Sequence, residues 1–203
     1  HLCDRRQRQM CIRDSYKRIP CDAIWMDIDY MDGYRIFTFN PQGFPDPKAV
    51  NRDLHLRGFH SVWMIDPGAK AETGYSVYDS GTANDVWVKT ADGKEYNGDA
   101  WPGKVAWPDF TDPKVCQWWG GLYKDFMAQG VDGVWNDVNE PQVSNTPTGT
   151  MPEDNLHRGG NGIPAGTHLQ YHNVYGFLMV KSSREGMLSL IHISEPTRRT
   201  PIS

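Results

Sequence analysis

The sequence predicts an α/β fold built on short parallel strands. Between residues 16 and 187, apolar runs of strand length alternate with helical segments, which favours parallel strands. Each of three apolar runs ends in an acid, at Asp27, Asp66 and Asp137. A doubly wound sheet also places sites at strand ends, but it gives no reason for three successive strands to end in aspartate. We therefore predict part of a (β/α)8 barrel, whose active sites lie at the carboxyl ends of its strands.

The first predicted strand, residues 23 to 26, lies in the stretch CDAIWMDIDYM and ends at Asp27. A segment rich in proline and glycine follows it. Asp46 then precedes a proline and is the predicted cap of a helix that runs to about Arg57. The next strand lies in HSVWMIDPG and ends at Asp66, so strand, helix and strand form a parallel βαβ unit.

A long excursion, residues 68 to about 112, follows the second strand. Within it, DVWVKTADGKEYNG alternates like a hairpin, with a turn at Asp92-Gly93. Loops of this length in a compact domain tend to be functional.

A second helix begins after Asp112, which is followed by proline, and ends before Gly130. The third strand, in VDGVWND, ends at Asp137. A second glycine- and proline-rich loop covers residues 141 to 167, and the last helix is predicted to end at about Glu185.

Composition argues against several classes of partner. The chain has 203 residues and a formal net charge of −4, which gives no electrostatic reason to expect nucleic acid or an anionic membrane. No apolar run is as long as a membrane span, and no signal peptide is visible at the start. The four cysteines lack the spacing of a metal site; they are Cys3, Cys11, Cys21 and Cys116.

The two ends of the chain do not continue the pattern of the middle. Residues 1–15 are basic and patternless, and residues 188–203 are out of register with the helix before them. Both ends resemble the translated adapters of transposase-based sequencing libraries, whose codons give residues 5–14 and 188–198 in frame. A natural basic arm and tail are the alternative. We predict that residues 1–15 and 188–203 are adapter-derived and either disordered or arbitrarily placed, and that residues 16–187 are the native segment.

Four ordered motifs carry a family resemblance. The segment WNDVNEP, residues 135–141, resembles the nucleophile motif of the glycoside hydrolase family 31 α-glucosidases. IWMDIDYMDGYRIFTFN, the DPG after the second strand, and AWPGKVAWPDFTDP are similar to that family in the same order, and together the motifs cover essentially all of residues 20–186. The resemblance implies strands two to four of a catalytic (β/α)8 barrel, with subdomains inserted after the third and fourth strands.

The resemblance also implies a reaction. Asp137 matches the catalytic nucleophile, which attacks the anomeric carbon of a terminal α-linked glucose of an oligosaccharide and forms a covalent glycosyl-enzyme. Water then hydrolyses this intermediate with retention. Glu140 is expected to support Asp137 through a nearby hydrogen bond. No cofactor is implied.

Further residues match positions that bind the sugar or line its pocket: Asp27, Met64, Asp66, Trp101 and Trp135. Asp27 would accept hydrogen bonds from sugar hydroxyls, or alternatively pair with Arg35. Asp66 would either contact sugar or support the surroundings of the nucleophile. The other tryptophans of these motifs, Trp63 and Trp107, are expected in the core.

The partner acid of Asp137 is not expected among these residues. In the family the general acid/base follows the nucleophile on a later strand, which would place it beyond residue 203. Because a retaining glycosidase needs both carboxyl groups, we expect this chain to be an inactive fragment. We also expect three parallel strands with two open edges to be poorly soluble or only partly ordered.

Two other functions and two metal sites are alternatives for these residues. An α-glucosyltransferase would use the same nucleophile, and a non-catalytic carbohydrate-binding barrel would use only the pocket. DIDYMDG lacks the acid spacing of a calcium loop. His168 and His172 have the spacing of zinc ligands, but without a third ligand they indicate a polar helix face. No metal site is therefore predicted.

Overall fold

The computed structural model describes residues 20–194, with side chains up to residue 190. Twelve strands and α-helices follow one another there. They are β1 (Ala23–Met26), α1 (Pro47–Leu56), β2 (His60–Ile65), β3 (Ala69–Lys70), α2 (Ser76–Ala83), β4 (Asn97–Ala100), β5 (Gly103–Ala106), α3 (Pro113–Met127), β6 (Gly133–Asn136), β7 (Leu156–His157), β8 (Gly166–Thr167) and α4 (His168–Ser194). A short 3-10 helix, Ile28–Tyr30, follows β1.

The central sheet is parallel and has the order β1-β2-β6. In its register Trp25 lies opposite Val62, and Met64 lies opposite Trp135. The predicted order of strand, helix and strand is confirmed. Within residues 20–194 the sheet has three strands and does not close, as expected for part of a (β/α)8 barrel.

The two faces of this sheet have different environments because successive side chains of a strand alternate between faces. Trp63 and Ile65 of β2 lie on the helix side and have no exposed surface. The indole of Trp63 donates to Asn51 Oδ1 of α1 at 3.0 Å, and Asn136 of β6 donates to the hydroxyl of Tyr123 in α3 at 3.4 Å. The opposite, inner face carries the residues at the alternate positions.

Both predicted helix caps are confirmed. The Asp46 carboxylate accepts from the amide of Ala49 at 2.9 Å, and the Asp112 carboxylate accepts from the amide of Lys114 at 2.9 Å. Each helix has proline in its first turn, where the missing amide proton costs no hydrogen bond. These caps fix the entry of α1 and α3 onto the sheet.

The excursion after β2 contains more structure than the predicted hairpin. The turn at Asp92-Gly93 is present, with the Gly93 amide donating to the Thr90 carbonyl at 2.8 Å. A second sheet has the order β3-β5-β4, and the β4–β5 turn carries Trp101. Helix α2 was not predicted, because its sequence SVYDSGTA has no side-chain cap and only a short apolar stripe.

Helix α4 is longer than predicted and continues past Glu185 to Ser194. It packs along α3 at a glycine pair: a Cβ added to Gly186 would lie 2.4 Å from the Cα of Gly120. Residues 188–194 therefore continue the helix, where disorder or an arbitrary placement was expected. The other end residues, 1–19 and 195–203, lie outside the described part of the chain, and the adapter origin of both ends stays a prediction.

Tryptophans fill much of the core, as expected for Trp63 and Trp107, which are 0% and 1% exposed.

Over residues 20–194, no helix has the length and apolar character that crossing a bilayer requires.

Candidate active site

Three carboxylates meet at the carboxyl edge of the central sheet. Asp27, Asp66 and Asp137 each follow the last residue of a strand, and β2, which precedes Asp66, is the middle strand. The amide of Asp137 donates to the carbonyl of Ile65 at 3.3 Å, so the pairing of β2 and β6 extends to this edge. The register places the three acids on the inner face.

Asp66 has the most unusual environment of the three. It is 8% exposed, and its buried Oδ1 has no hydrogen-bond partner among the described residues. Burial, and after it the charges of Asp137, Asp27 and Glu140, together raise the pKa of Asp66 from 3.8 to about 7. Near neutral pH this carboxyl group therefore exchanges between a neutral donor and an anion.

Asp27 is exposed and caps the short helix after β1. Its Oδ1 accepts from the amide of Ile28 at 2.7 Å, which fixes the carboxylate and leaves the other oxygen for a ligand. The alternative partner, Arg35, pairs instead with Glu72 at 2.8 Å and with Asp32 at 3.4 Å. Asp27 is therefore not neutralised by Arg35.

Asp137 is half-buried, and its carboxylate accepts no hydrogen bond from residues 20–194. The next residue, Val138, has a φ of 52°, a left-handed conformation that is strained for a β-branched side chain. Such strain costs roughly 1–3 kcal/mol and is found where the surrounding structure imposes it, often at functional sites. The close packing of α4 against this turn is one such constraint, since a Cβ on Gly176 would lie 2.8 Å from the carbonyl oxygen of Asn139.

The walls around the acids are aromatic and apolar. Trp135 is half-buried on the inner face and meets Trp25 edge to face, with ring centroids 6.1 Å apart. Met64 lies between the strands and is 2% exposed; its carbonyl accepts from the Tyr30 hydroxyl at 2.6 Å. These contacts fix the side chains that lie beneath the three acids in the candidate site.

Trp101 lies at the rim. Its side chain is 67% exposed at the β4–β5 turn, and with part of the segment after Asp137 it borders a cavity of about 240 Å³. The rest of that lining is Ala100, Val138, Gln142 and Ser144. A backbone hydrogen bond of 2.8 Å from Ser144 to Asp99 joins the turn to this segment. Trp101 therefore faces the loop behind Asp137.

Glu140 differs from its expected geometry. It is exposed, and its carboxylate makes no hydrogen bond to the described residues, so the expected hydrogen-bonded support of Asp137 is not present. Its negative charge instead contributes to the raised pKa of Asp66.

Sequence reasoning missed several neighbours of the site. Trp25 precedes Asp27 by two residues in β1, so the alternation of a strand already places it on the same face. Val138, Gln142 and Ser144 carried no local signal, because only the folding of the β4–β5 turn onto this loop brings them to Trp101.

The described residues form no second candidate site with these acids. In the part of the chain that the structure describes, no three histidine, cysteine or acidic groups are placed to hold a metal. His168 is 1% exposed, so its predicted place on a polar helix face is wrong, because β7 covers this turn of α4. A cavity of about 530 Å³ lies between α3 and α4, but none of the strand-end aspartates lines it.

Comparison with known proteins agrees with this geometry. Residues 8–200 match the family model described as "Glycosyl hydrolases family 31 TIM-barrel domain". The chain is 43% identical over 180 residues to Alpha-glucosidase 2 of Bacillus thermoamyloliquefaciens, covering 89% of this chain and 22% of that protein. It therefore spans about a fifth of the length of that relative.

Solved structures show the same similarity. A family 31 alpha-glucosidase from Bacteroides thetaiotaomicron has 68% sequence identity and a TM-score of 0.74, over 90% of this chain and 28% of that one. The DNJ-bound glucosidase II alpha subunit has 35% identity and a TM-score of 0.80, over 91% of this chain and 19% of that one.

Proposed function

Because this chain belongs to glycosyl hydrolase family 31, we propose that it supplies the nucleophile half of the active site of a retaining α-glucosidase. The observation that carries the proposal is the common position of three carboxylates. Asp137 lies at the carboxyl edge of the sheet, on the face that also carries Asp27 and Asp66. The relatives named alpha-glucosidase support glucose as the sugar.

Asp137 would act as the nucleophile. Its free carboxylate oxygen would bond to the anomeric carbon of a terminal α-linked glucose while the bond to the leaving oxygen breaks. Strand β6 would hold the carboxylate still, and Trp135 would form an apolar wall for the sugar ring. Water would later displace Asp137 and regenerate the carboxylate.

Asp27 and Asp66 would have different tasks. Asp27, whose carboxylate is fixed by the hydrogen bond from the Ile28 amide, would accept hydrogen bonds from sugar hydroxyls. Asp66, with a pKa raised to about 7 by burial and by neighbouring carboxylates, would control the charge beside Asp137. Trp101 and Met64 would complete the apolar lining.

Asp66 is poorly placed to be the acid/base, despite its raised pKa. The acid of a retaining glycosidase must protonate the leaving oxygen, on the side of the scissile bond away from the nucleophile. Asp66 flanks Asp137 on the neighbouring strand of the same sheet. We therefore propose that a later part of the barrel supplies the acid, and that this chain alone does not hydrolyse α-glucosides.

A reagent that needs no acid tests the nucleophile separately. A glucosyl fluoride with a second fluorine on the ring loses fluoride without protonation, and the ring fluorine slows hydrolysis of the glycosyl-enzyme. We expect intact-mass and peptide analysis to find the sugar on Asp137, and no adduct on the D137N variant. An unlabelled wild-type chain, or labelling that survives in D137N, would contradict the proposal.

The native extent of the chain has its own test. We propose that residues 16–187 are the native segment and that residues 1–15 and 188–203 derive from adapters. The nucleotide sequence encoding residues 5–14 and 188–198 decides this. Adapter codons at both ends support the proposal, whereas different synonymous codons would make the ends genuine.

A further inference from the structure

A row of buried polar side chains lies outside the candidate active site. His157 Nδ1 lies 2.9 Å from Asp109 Oδ1, and His157 Nε2 lies 3.1 Å from His168 Nδ1. His168 Nε2 is in turn 3.3 Å from His172 Nδ1. Asp109, His157 and His168 are 0%, 2% and 1% exposed. We call these four residues the histidine relay.

The relay joins three separate parts of the chain. Asp109 follows β5 at the end of the first excursion, and His157 belongs to β7. His168 and His172 lie one turn apart at the start of α4, on one face of the helix. The relay therefore links both inserted loops to the helix that packs behind Asp137.

Asp109 determines where the first proton lies. Burial alone would raise its pKa, but hydrogen bonds from His157, from the Thr111 hydroxyl and from the Arg158 amide lower it below its ordinary value. As an anion Asp109 only accepts, so His157 Nδ1 carries a proton and donates it to Asp109.

The positions of the remaining imidazole protons can be assigned because His168 is neutral. Burial, and then repulsion of a further positive charge by the His157 and His172 imidazoles when these are protonated, together lower the pKa of His168 from 6.5 to about 3. At a pH where His157 is neutral, its Nε2 has no proton and accepts, so His168 Nδ1 must donate to it. His168 Nε2 is then an acceptor. Asp109 thus controls the tautomer of an imidazole that it does not touch.

The accepting end of the relay faces the loop behind Asp137. Thr150 Oγ1 lies 3.4 Å from His168 Nε2 and 3.4 Å from His172 Nδ1. The Thr150 carbonyl accepts from the Thr146 hydroxyl at 2.7 Å. The Val143 amide donates to the Gly149 carbonyl at 2.8 Å, so residues 141–150, which start directly after Glu140, contain a closed loop that two histidines contact at Thr150.

The surroundings of the relay contain few compensating charges. His157 packs against the rings of Tyr171 and Tyr175 from α4, and His168 also packs against Tyr175. The guanidinium of Arg158, the residue after His157, pairs with Asp112 at 3.4 Å and with Asp85 at 3.6 Å. Asp109 is thus the relay's anion, and it faces His157 rather than His168.

We propose that the histidine relay positions the loop behind Asp137. Neutral His168, with its proton placed by Asp109, holds Thr150 and through it residues 141–150; a proton taken up by the relay releases this hold. The inference rests on the proposed function only in identifying Asp137 as the nucleophile. The relay is expected to hold the loop at pH values above the ordinary pKa of histidine. It loses this hold as the pH falls towards about 3, the value to which burial and the neighbouring imidazoles lower the pKa of His168.

Imidazole nitrogen NMR of the full chain tests the relay without any sugar. At neutral pH we expect His168 to be neutral and protonated at Nδ1. In the D109N variant the new amide can donate to His157, so both His157 and His168 should switch to the Nε2-protonated tautomer. A wild-type His168 that is charged or protonated at Nε2 overturns the proposal, and so does an unchanged His168 in folded D109N. If D109N does not fold, the protonation state of His168 in the wild-type spectrum alone tests the proposal.

Amide hydrogen exchange tests the hold on the loop. The H168F variant keeps an aromatic ring but loses both nitrogens, and we expect protection of residues 141–150 to fall about tenfold, the effect of losing about one hydrogen bond. H168Q, which retains a side-chain acceptor, should recover part of the lost protection. H60F, at an exposed histidine of β2 outside the relay, should change nothing. Equal loop protection in H168F and H60F would overturn the proposal.

Discussion

Asp66 combines burial with three negative neighbours, and this combination has a measurable consequence for pH. A carboxyl group whose pKa is raised on folding, here from 3.8 to about 7, binds its proton more tightly in the folded state. Its contribution to the free energy of unfolding is therefore full at low pH and is lost as the pH rises from about 4 to about 7. The sign is opposite to that of Asp109, whose lowered pKa favours folding at higher pH.

The charge of Asp137 is one cause of this shift, so removing it should move the pKa of Asp66 down. In D137N we expect the carboxyl carbon of Asp66, followed by NMR, to titrate at lower pH than in the wild-type chain, but still above 3.8 because burial is the larger cause. D53N, at an exposed acid of α1, is the matched control and should leave the titration unchanged. An Asp66 that titrates near its ordinary value in the wild type would contradict the buried geometry.

Asp27 offers a test of the sugar contact that spares the fold. Asparagine can still accept the hydrogen bond from the Ile28 amide, so D27N removes the charge and keeps the cap. Hydrogen bonds to charged groups contribute about 1.5–3 kcal/mol, so labelling of Asp137 by the fluorinated glucosyl fluoride should slow by about tenfold or more. D29N, in the same short helix, serves as control. Equal labelling rates in D27N and D29N would remove Asp27 from the sugar site.

At the residue scale, much of the candidate site could be predicted from the sequence. Asp27, Asp66 and Asp137 end apolar runs, and the period of a strand places Trp135 on the same face as Asp137. The hydrogen-bonding environment could not be predicted. The exposed Glu140 and the unpartnered Oδ1 of Asp66 depend on how distant segments pack, which no local pattern encodes.

Helices α3 and α4 approach each other at glycine, and a neighbouring glycine provides the control. A Cβ on Gly120 would lie 3.0 Å from the backbone of Gly186, whereas a Cβ on Gly121 would have no atom within 4 Å. We expect G120A to lower the free energy of unfolding by about 1–3 kcal/mol through overpacking. G121A should raise it by about 0.5–1 kcal/mol, because alanine favours a helix interior. Urea unfolding of both variants checks this, and equal effects would contradict the packing.

The elements themselves divide into those with local signals and those without. Helices α1 and α3 were predicted with their caps because aspartate and proline mark both starts. Helix α2 depends instead on tertiary contact: a Cβ on Gly81 would lie 2.2 Å from the ring of Trp87, so the helix fits its site only with glycine there. The extension of α4 to Ser194 crosses the predicted end at Glu185, because Gly186, which follows it, stays helical and packs against Gly120 of α3 instead of ending the helix.

For the whole molecule, the decisive feature is the open sheet. Within residues 20–194, β1 and β6 are the outer strands of the parallel sheet, and each leaves one row of backbone groups unpaired. The inner face is equally uncovered at Trp25, which is 57% exposed beside the aspartates. Edge strands and an exposed tryptophan both promote association between copies.

We therefore expect the purified chain to associate reversibly as its concentration rises, and to bind a dye that reports exposed apolar surface. Replacing Trp25 with lysine places a charge on the inner face and should shift sedimentation velocity profiles towards the monomer. Leu56→Lys is the control, since Leu56 is 80% exposed but lies at the end of α1, away from the sheet edges. If both variants associate like the wild type, association does not proceed through the inner face. A monomer at every concentration with one cooperative melt would show that three strands, covered by helices on one side only, suffice for an independent fold.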